Sequence, residues 1–247
     1  MISFRHVSKA FGPKQVLLDV SFDIAPGQVF FIIGASGVGK SVLIKHLIGL
    51  LRPDSGEIWL DGEEVSQLSE QGFYPVRRKC AMVFQHSTLF DSMTCAENVA
   101  LPLRKHRGLS ARAALSEADR LLDEVHMRKF GERLPSELGD GMRKRVAIAR
   151  ALTLEPRYVL FDEPTTGLDP VSARRVDHLI RELCDRRGVT SLVVSHDLTS
   201  IFTVADRIVM LYKGRVRLIG TANDFKNSED GVVQQFVQGR AEGPMEF

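Results

Sequence analysis

Cysteine is scarce in this 247-residue chain, and the three present, Cys80, Cys95 and Cys184, make no CxxC spacing. That excludes a disulfide framework or a cysteine zinc site and reads as reduced thiols in a cytosolic protein. The seven histidines are dispersed and form no HExxH pair. An excess of one charge is missing too. The net charge is +2, the basic residues are scattered, and no aromatic-basic stripe runs between them, so no nucleic-acid partner is expected. Long apolar runs are absent: VFFII at 29–33 and LIGLL at 47–51 fall far short of the roughly 20 residues of a membrane helix. The start, MISFRHVSKAFG, has no apolar h-region, which argues against a secretory signal. If the protein acts at a membrane, another chain supplies the span.

What is present is a globular composition, 44% hydrophobic and 26% charged, enough for one large domain or a domain with a subdomain. The first 35 residues alternate like strands, ISFRHV, VLLDVSFDI and VFFIIG, with turns at Gly12-Pro13 and Pro26-Gly27. VFFIIG is apolar on both faces, as in a buried parallel strand. Residues 40–51 follow at helical spacing, then a short strand EIWL closed by an Asp61-Gly62 turn. From about 87 to 155 the character is helical, with Ala111, Leu115, Ala118, Leu122 and Val125 as one stripe and Ser110 as its cap. YVLFD and TSLVVS are two more buried-type strands, separated by a helix striped by Ala173, Val176, Ile180 and Leu183. The alternation predicts a parallel α/β core with a helical insertion. The last sixteen residues read as a tail.

The run GASGVGKS lies between a buried strand and a helix and fits G-x-x-x-x-G-K-[ST]. From Gly34 through Ala35, Ser36, Gly37, Val38 and Gly39, backbone N–H groups can converge on phosphates, and the helix N-terminus opening at Lys40, Ser41 and Val42 adds partial positive charge. Lys40 can reach the β- and γ-phosphates of ATP and Ser41 can ligate Mg²⁺. YVLFDE ends in two carboxylates, Asp162 and Glu163, which strand alternation would send to opposite sides. One could then join the Mg²⁺ shell while the other faces a water as general base. Such an ending alone usually means solvated loop carboxylates; the phosphate loop gives it weight.

With those residues in hand, nearly the whole chain resembles the nucleotide-binding subunits of ATP-binding cassette (ABC) transporters, in particular those of maintenance-of-lipid-asymmetry (Mla) systems serving MCE-protein lipid transporters. The narrower likeness lies in FQHSTLFDSMTCAENVALPLRKH and PSEL…GM.KRVAIARAL. The resemblance implies an α/β P-loop fold: a mostly parallel sheet core, an antiparallel β subdomain and an inserted helical subdomain. It makes residues 1–230 a single ATPase domain and 231–247 a C-terminal extension reaching onto the partner subunit, with Phe236 and Phe247 to bury there. It assigns Gln85 in MVFQ to Mg²⁺ and to sensing the permease, Asp169 in TGLD to the dimer contact, His196 in VVSHD to the γ-phosphate, and Phe11 to adenine. Each has a plainer reading: Gln85 a loop amide, Asp169 a helix cap before Pro170, His196 a strand end, Phe11 a core aromatic. Two copies would pair, docked on an integral-membrane permease at the cytoplasmic face of the inner membrane, with an MCE-domain lipid-binding protein in the complex.

LGDGM at 138–142 departs from the family's Leu-Ser-Gly-Gly-Gln or Leu-Ser-Gly-Gly-Met signature, which presents a serine hydroxyl and backbone N–H groups to the other subunit's γ-phosphate. Leu138, Gly141 and Met142 fit; Gly139 replaces the serine and Asp140 the first glycine. Losing the hydroxyl costs about 1 to 3 kcal/mol for a bond to a charged group. A carboxylate 4 Å from a phosphate charge costs on the order of 4 kcal/mol at an effective dielectric of about 20. Two remedies are open: Asp140 caps its own helix, or Arg143 or Lys144 neutralises it. Since Lys40, Ser41, Gln85, Asp162, Glu163 and His196 are all of the right type, the expectation is a working ATPase that energises lipid transport, slowed by its signature. Alternatives are the ATPase of a solute importer, and a nucleotide-dependent interaction protein that does not hydrolyse.

Overall fold

The computed structural model describes residues 1–246, so Phe247, named above as an apolar group of the tail, lies outside it. The chain opens with β1 (Ile2–Phe11) and β2 (Lys14–Ile24), an antiparallel pair turning at Gly12-Pro13. β3 (Val29–Ile33) is entirely buried and leads into α1 (Lys40–Leu47). The helix is shorter than the 40–51 expected, because Gly49 takes a left-handed φ of 70° and breaks it. β4 (Ser55–Leu60) and β5 (Glu63–Glu64) form the hairpin. Asp61 and Gly62 both have positive φ, 53° and 86°, as a tight two-residue turn requires. α2 (Phe73–Lys79), not anticipated, runs straight into β6 (Cys80–Val83).

The helical block holds α3 (Cys95–Arg107), α4 (Ala111–Glu124) and α5 (Asp140–Ala151). Ser110 caps α4 as expected, accepting from the Ala113 N–H at 3.3 Å. The predicted stripe is partly wrong: Ala111 and Leu115 are exposed, and the buried face is Ala114, Ala118, Leu121 and Leu122. The sequence ARAALSEADRLL offers apolar residues on two adjacent faces, and packing against α3 and α5 selects one.

The chain then returns through β7 (Tyr158–Asp162), α6 (Pro170–Arg187), β8 (Thr190–Val194), α7 (Leu198–Val204), β9 (Arg207–Tyr212), β10 (Arg215–Gly220), α8 (Ala222–Lys226) and α9 (Gly231–Gln238). Ala173, Val176, Ile180 and Leu183 of α6 are all buried, as expected. The order β10-β9-β3-β8-β7-β6 makes a six-stranded sheet, parallel from β9 to β6 with β10 antiparallel at one edge. The order β2-β1-β4-β5 makes the separate antiparallel sheet. The α/β class with an antiparallel subdomain and a helical insertion is therefore observed.

The two-residue period of β3 divides the core. Phe31 and Ile33 face the cluster shared with the helical block, while Phe30 and Ile32 face the cluster beneath α1 and the antiparallel sheet. The tail folds on its own chain: Val232, Val233 and Met245 join the first cluster beside Phe225, and Phe236 is partly buried against it. The three cysteines are buried and unpaired, and burial pushes the Cys80 thiol up to about 12.

Candidate active site

Parallel strands carry their C-terminal ends to one edge, where loops in open α/β sheets form binding crevices. Register sets Asp162 beside Val194 and Val194 beside Ile32, so the ends of β7, β8 and β3 meet there. The loop after β3 is drawn tight against the sheet: Gly34 has φ 140°, and a Cβ there would lie 2.3 Å from the Leu211 carbonyl oxygen. Its far end opens α1 at Lys40.

Lys40 is buried, and its Nζ donates to the Gly34 and Ala35 carbonyls at 2.8 and 2.9 Å. Burial lowers its pKa, opposed by the nearby charges of Glu163 and Asp162. A buried ammonium held only by neutral carbonyls is matched to a phosphate, which gives stronger, charge-assisted bonds. Ser41 Oγ donates to Asp162 Oδ1 at 2.6 Å, placing a hydroxyl and a buried carboxylate together. Those are hard oxygen donors, and among the described residues no cluster of three His, Cys, Asp or Glu side chains competes with them. One carboxylate, a hydroxyl and substrate phosphates are the shell Mg²⁺ prefers, so the residues fit that ion.

Glu163 diverges from Asp162 for a different reason than strand alternation. β7 ends at Asp162, and Glu163 sits beyond it at φ 49°, its N–H bonded to the Val194 carbonyl at 2.9 Å. A non-glycine residue held there is strained, as functional positions are. Its Oε2 accepts from Thr166 Oγ1 at 3.1 Å, and its Oε1 lies 3.6 Å from His196 Nδ1. Phe11, Lys14, Ser36, Gly37, Gly39, Lys40, Ser41, Val42 and Glu163 line one cleft of ≈ 360 Å³. Phe11 is 44% exposed at its mouth, with Lys9 Nζ 5.5 Å from its ring, so it is no core aromatic. Ala35 and Val38 are half-buried in the loop behind.

Other expected residues lie elsewhere. Gly139, Gly141 and Asp169 line a second cleft of ≈ 730 Å³ between α5 and α6. Asp169 caps α6, accepting from the Val171 and Ser172 N–H groups at 3.0 Å each. Gly141 is needed for close approach, since a Cβ there would lie 2.7 Å from that of Ser172. Asp140 does not cap α5: the cap position is Gly139, and Asp140 is the first helical residue, ion-paired with Arg143. Of the two remedies, neutralisation by Arg143 is therefore the one adopted. Lys144 is occupied differently, donating to the Phe84 and Gln85 carbonyls at 2.9 and 2.6 Å. Burial brings its pKa down to about 8. Gln85 is exposed and lines a third cleft with Asp140, Arg143 and Lys144, not the cleft of Lys40 and Ser41. Lys144 was expected only as a partner for Asp140; its burial against the loop after β6 was missed because a lysine in RKR on a helix reads as solvated.

A phosphate loop facing a paired acid, a hydroxyl and a histidine at a sheet edge defines a P-loop ATPase. Residues 17–166 match the sequence family described as ABC transporter, and the chain belongs to that family. It is 37% identical over 247 residues to the intermembrane phospholipid transport system ATP-binding protein MlaF of Escherichia coli K12, across 100% of this chain and 92% of that one. It is 36% identical to the probable ribonucleotide transport ATP-binding protein mkl of Mycobacterium leprae, across 99% of this chain and 70% of that one. A dimeric ATP-binding cassette, MJ0796 bound to ADP and Pi, matches with a TM-score of 0.81 and 32% identity over 90% of this chain and 99% of that chain. The protein is thus an ATP-binding, ATP-hydrolysing cassette of a transport system. None of its described helices is long and apolar enough to cross a membrane.

Proposed function

We propose that two copies of this chain close on two ATP molecules and drive a phospholipid transporter. The observation that carries this is the meeting of Lys40, Ser41, Asp162, Glu163 and His196 at one sheet edge while Gly139, Gly141 and Asp169 line a separate cleft. A second copy would bring its signature glycines and Asp169 to the first copy's phosphates. Phe11 would stack on adenine, and the 34–42 loop would hold the phosphates through its N–H groups and Lys40. Ser41 and Asp162, with Gln85 in the assigned set, would hold Mg²⁺, which would supply charge withdrawal from the phosphates.

Glu163 is the general base. It takes a proton from the water whose oxygen attacks the γ-phosphorus as the bond to the β-phosphate oxygen breaks, leaving ADP and inorganic phosphate. His196 steadies the γ-phosphate. The 87–155 helical block, inserted in a single ATPase unit of residues 1–230, would dock with the region of Gln85 on an integral-membrane permease. The tail from 231 would extend the contact between copies. The complex would sit at the cytoplasmic face of the inner membrane with an MCE-domain lipid-binding protein, a cargo assignment supported by the full-length similarity to MlaF.

The test is Mg²⁺-ATP hydrolysis by the purified membrane complex beside Glu163→Gln, with fluorescent phospholipid transfer between vesicles as second readout. Turnover and transfer both lost in the variant support the reading. Equal background phosphate release from both proteins would overturn it in favour of an ATP-bound assembly partner. Hydrolysis stimulated by a small solute and indifferent to lipid would overturn the cargo.

A further inference from the structure

We propose that Arg174 is a positioning residue for His196, strapping the His196-Asp197 turn to α6 and so setting where the imidazole meets Glu163. The inference rests on the reading above, in which His196 and Glu163 act on the γ-phosphate.

The strap runs from α6 to the cap of α7. Arg174, in the second turn of α6, donates from Nη2 to Asp197 Oδ2 at 2.6 Å and to Ser200 Oγ at 3.1 Å. Its Nη1 lies 2.8 Å from Asp177 Oδ2, an ion-pair contact off the line of a hydrogen bond. Ser200 Oγ lies 2.9 Å from both Asp177 Oδ2 and Asp197 Oδ2, and its single hydrogen serves one of them at a time. Asp197 is anchored on its other side as the cap of α7, accepting from Thr199 and Ser200 N–H groups at 2.9 and 3.3 Å. Its own N–H donates to Ser195 Oγ at 3.0 Å. His196 is therefore the one link between two held neighbours, Ser195 buried and Asp197 tied down, while its own ring is 57% exposed.

The charges explain why the cation matters. Asp177 is almost fully buried, and Asp197 faces it across one hydroxyl, so a single guanidinium serves two carboxylates. Without it the two would repel in a poorly solvated place, and the one free to leave is the exposed-side Asp197, which carries His196 with it. Asp169 caps α6, so the same strap joins His196 to the helix that presents Asp169.

A merely stabilising role is separable because α6 carries a matched control. Arg181 also bridges two carboxylates, Asp185 at 2.8 Å and Asp206 at 2.8 Å, but Asp206 receives the Val29 N–H at the opposite end of β3 from the site. The experiment compares steady-state ATP hydrolysis and melting of the assembled complex for wild type, Arg174→Ala, Arg181→Ala and Arg174→Ala/Asp177→Asn, with Glu163→Gln as blank. Arg174→Ala should lower kcat about tenfold or more, as a displaced catalytic group does. Its KM for ATP should stay within about twofold, the mark of a loss felt in the transition state. Arg181→Ala should lower the melting temperature and keep its kcat. The double variant, which removes the repulsion, should recover part of the lost kcat. Unchanged kcat in Arg174→Ala, or an equal loss in Arg181→Ala, overturns the proposal. Wild-type turnover no higher than Glu163→Gln overturns the parent reading and this one with it, an outcome distinct from the other two.

Discussion

Asp140 stands in the first turn of α5, where a carboxylate favours the helix N-terminus but opposes an incoming phosphate. Arg143 cancels that charge locally, which explains how the altered signature coexists with intact Lys40, Ser41, Asp162 and Glu163. Gly139 has extended backbone, φ −68° and ψ 160°, and a side chain there would meet nothing within 4 Å. Restoring the family signature with Gly139→Ser/Asp140→Gly should therefore be tolerated and raise phosphate release by about tenfold or more, the worth of a hydrogen bond to a charged group. Turnover equal to wild type would mean that Arg143 had already compensated in full. Asp177 carries the clearest pH dependence. Burial pushes it up to about 6, against Arg174 and His178 on its own helix, which lower it, and Asp197 facing from the loop before α7, which raises it. The native state thus holds a proton that the unfolded chain has released between roughly pH 4 and 6, so this group's contribution is largest below that window and is lost as pH rises through it. Asp177→Asn should gain on wild type in denaturant stability between pH 4.5 and 7.5, by at most about 3 kcal/mol for a two-unit shift.

At the scale of elements, α5 is fastened twice to the loop after β6, by Lys144 on the Phe84 and Gln85 carbonyls and by Arg150 on the Thr88 carbonyl at 3.0 Å. Lys144→Met keeps the apolar stem but leaves two carbonyls without their donor. A loss of about 1 to 3 kcal/mol is expected in urea unfolding. α9 and the segment after it act as one clasp: Gln235 Oε1 accepts from the Met245 N–H at 2.7 Å, and Glu246 pairs with Lys213 at 2.7 Å. Deleting residues 240–247 discards buried Met245 and its hydrogen bond to Gln235. That should cost about 1.5 to 3 kcal/mol, the value of one buried apolar side chain, read as a lower melting temperature of the isolated chain. A further loss in the assembled complex, beyond that of the isolated chain, would report the proposed contact of the tail with the second copy.

For the whole molecule, the cleft of Lys40 and Ser41 and the cleft of Gly139 and Asp169 are separate on one chain, and in the proposed reading a second copy completes each site. Hydrolysis per isolated chain should fall steeply on dilution, roughly as the square of concentration in total rate while monomers dominate. A rate strictly proportional to concentration would mean one chain suffices. How much of this was legible beforehand depends on range. The phosphate loop, the Asp162-Glu163 pair, the caps at Ser110 and Asp169 and the buried strands could be read from sequence, since each is a local pattern whose chemistry lies within a few residues. The strand β9 and its edge neighbour β10, α2, and the true buried face of α4 could not, because partners distant in the chain decide which of several acceptable faces is covered. The same holds for the fine structure of the site. The linear order of residues determined that this chain is an ATP-binding cassette and carries the acid, hydroxyl and histidine of the proposed site. Only the tertiary structure decided that Asp140 pairs with Arg143 and does not cap its helix, that Lys144 is buried, that Glu163 leaves the strand through a left-handed turn, and that Arg174 holds the His196 turn. The first is a choice between two local partners that the sequence left open; the others are settled by a charge or carbonyl that folding brings from far along the chain.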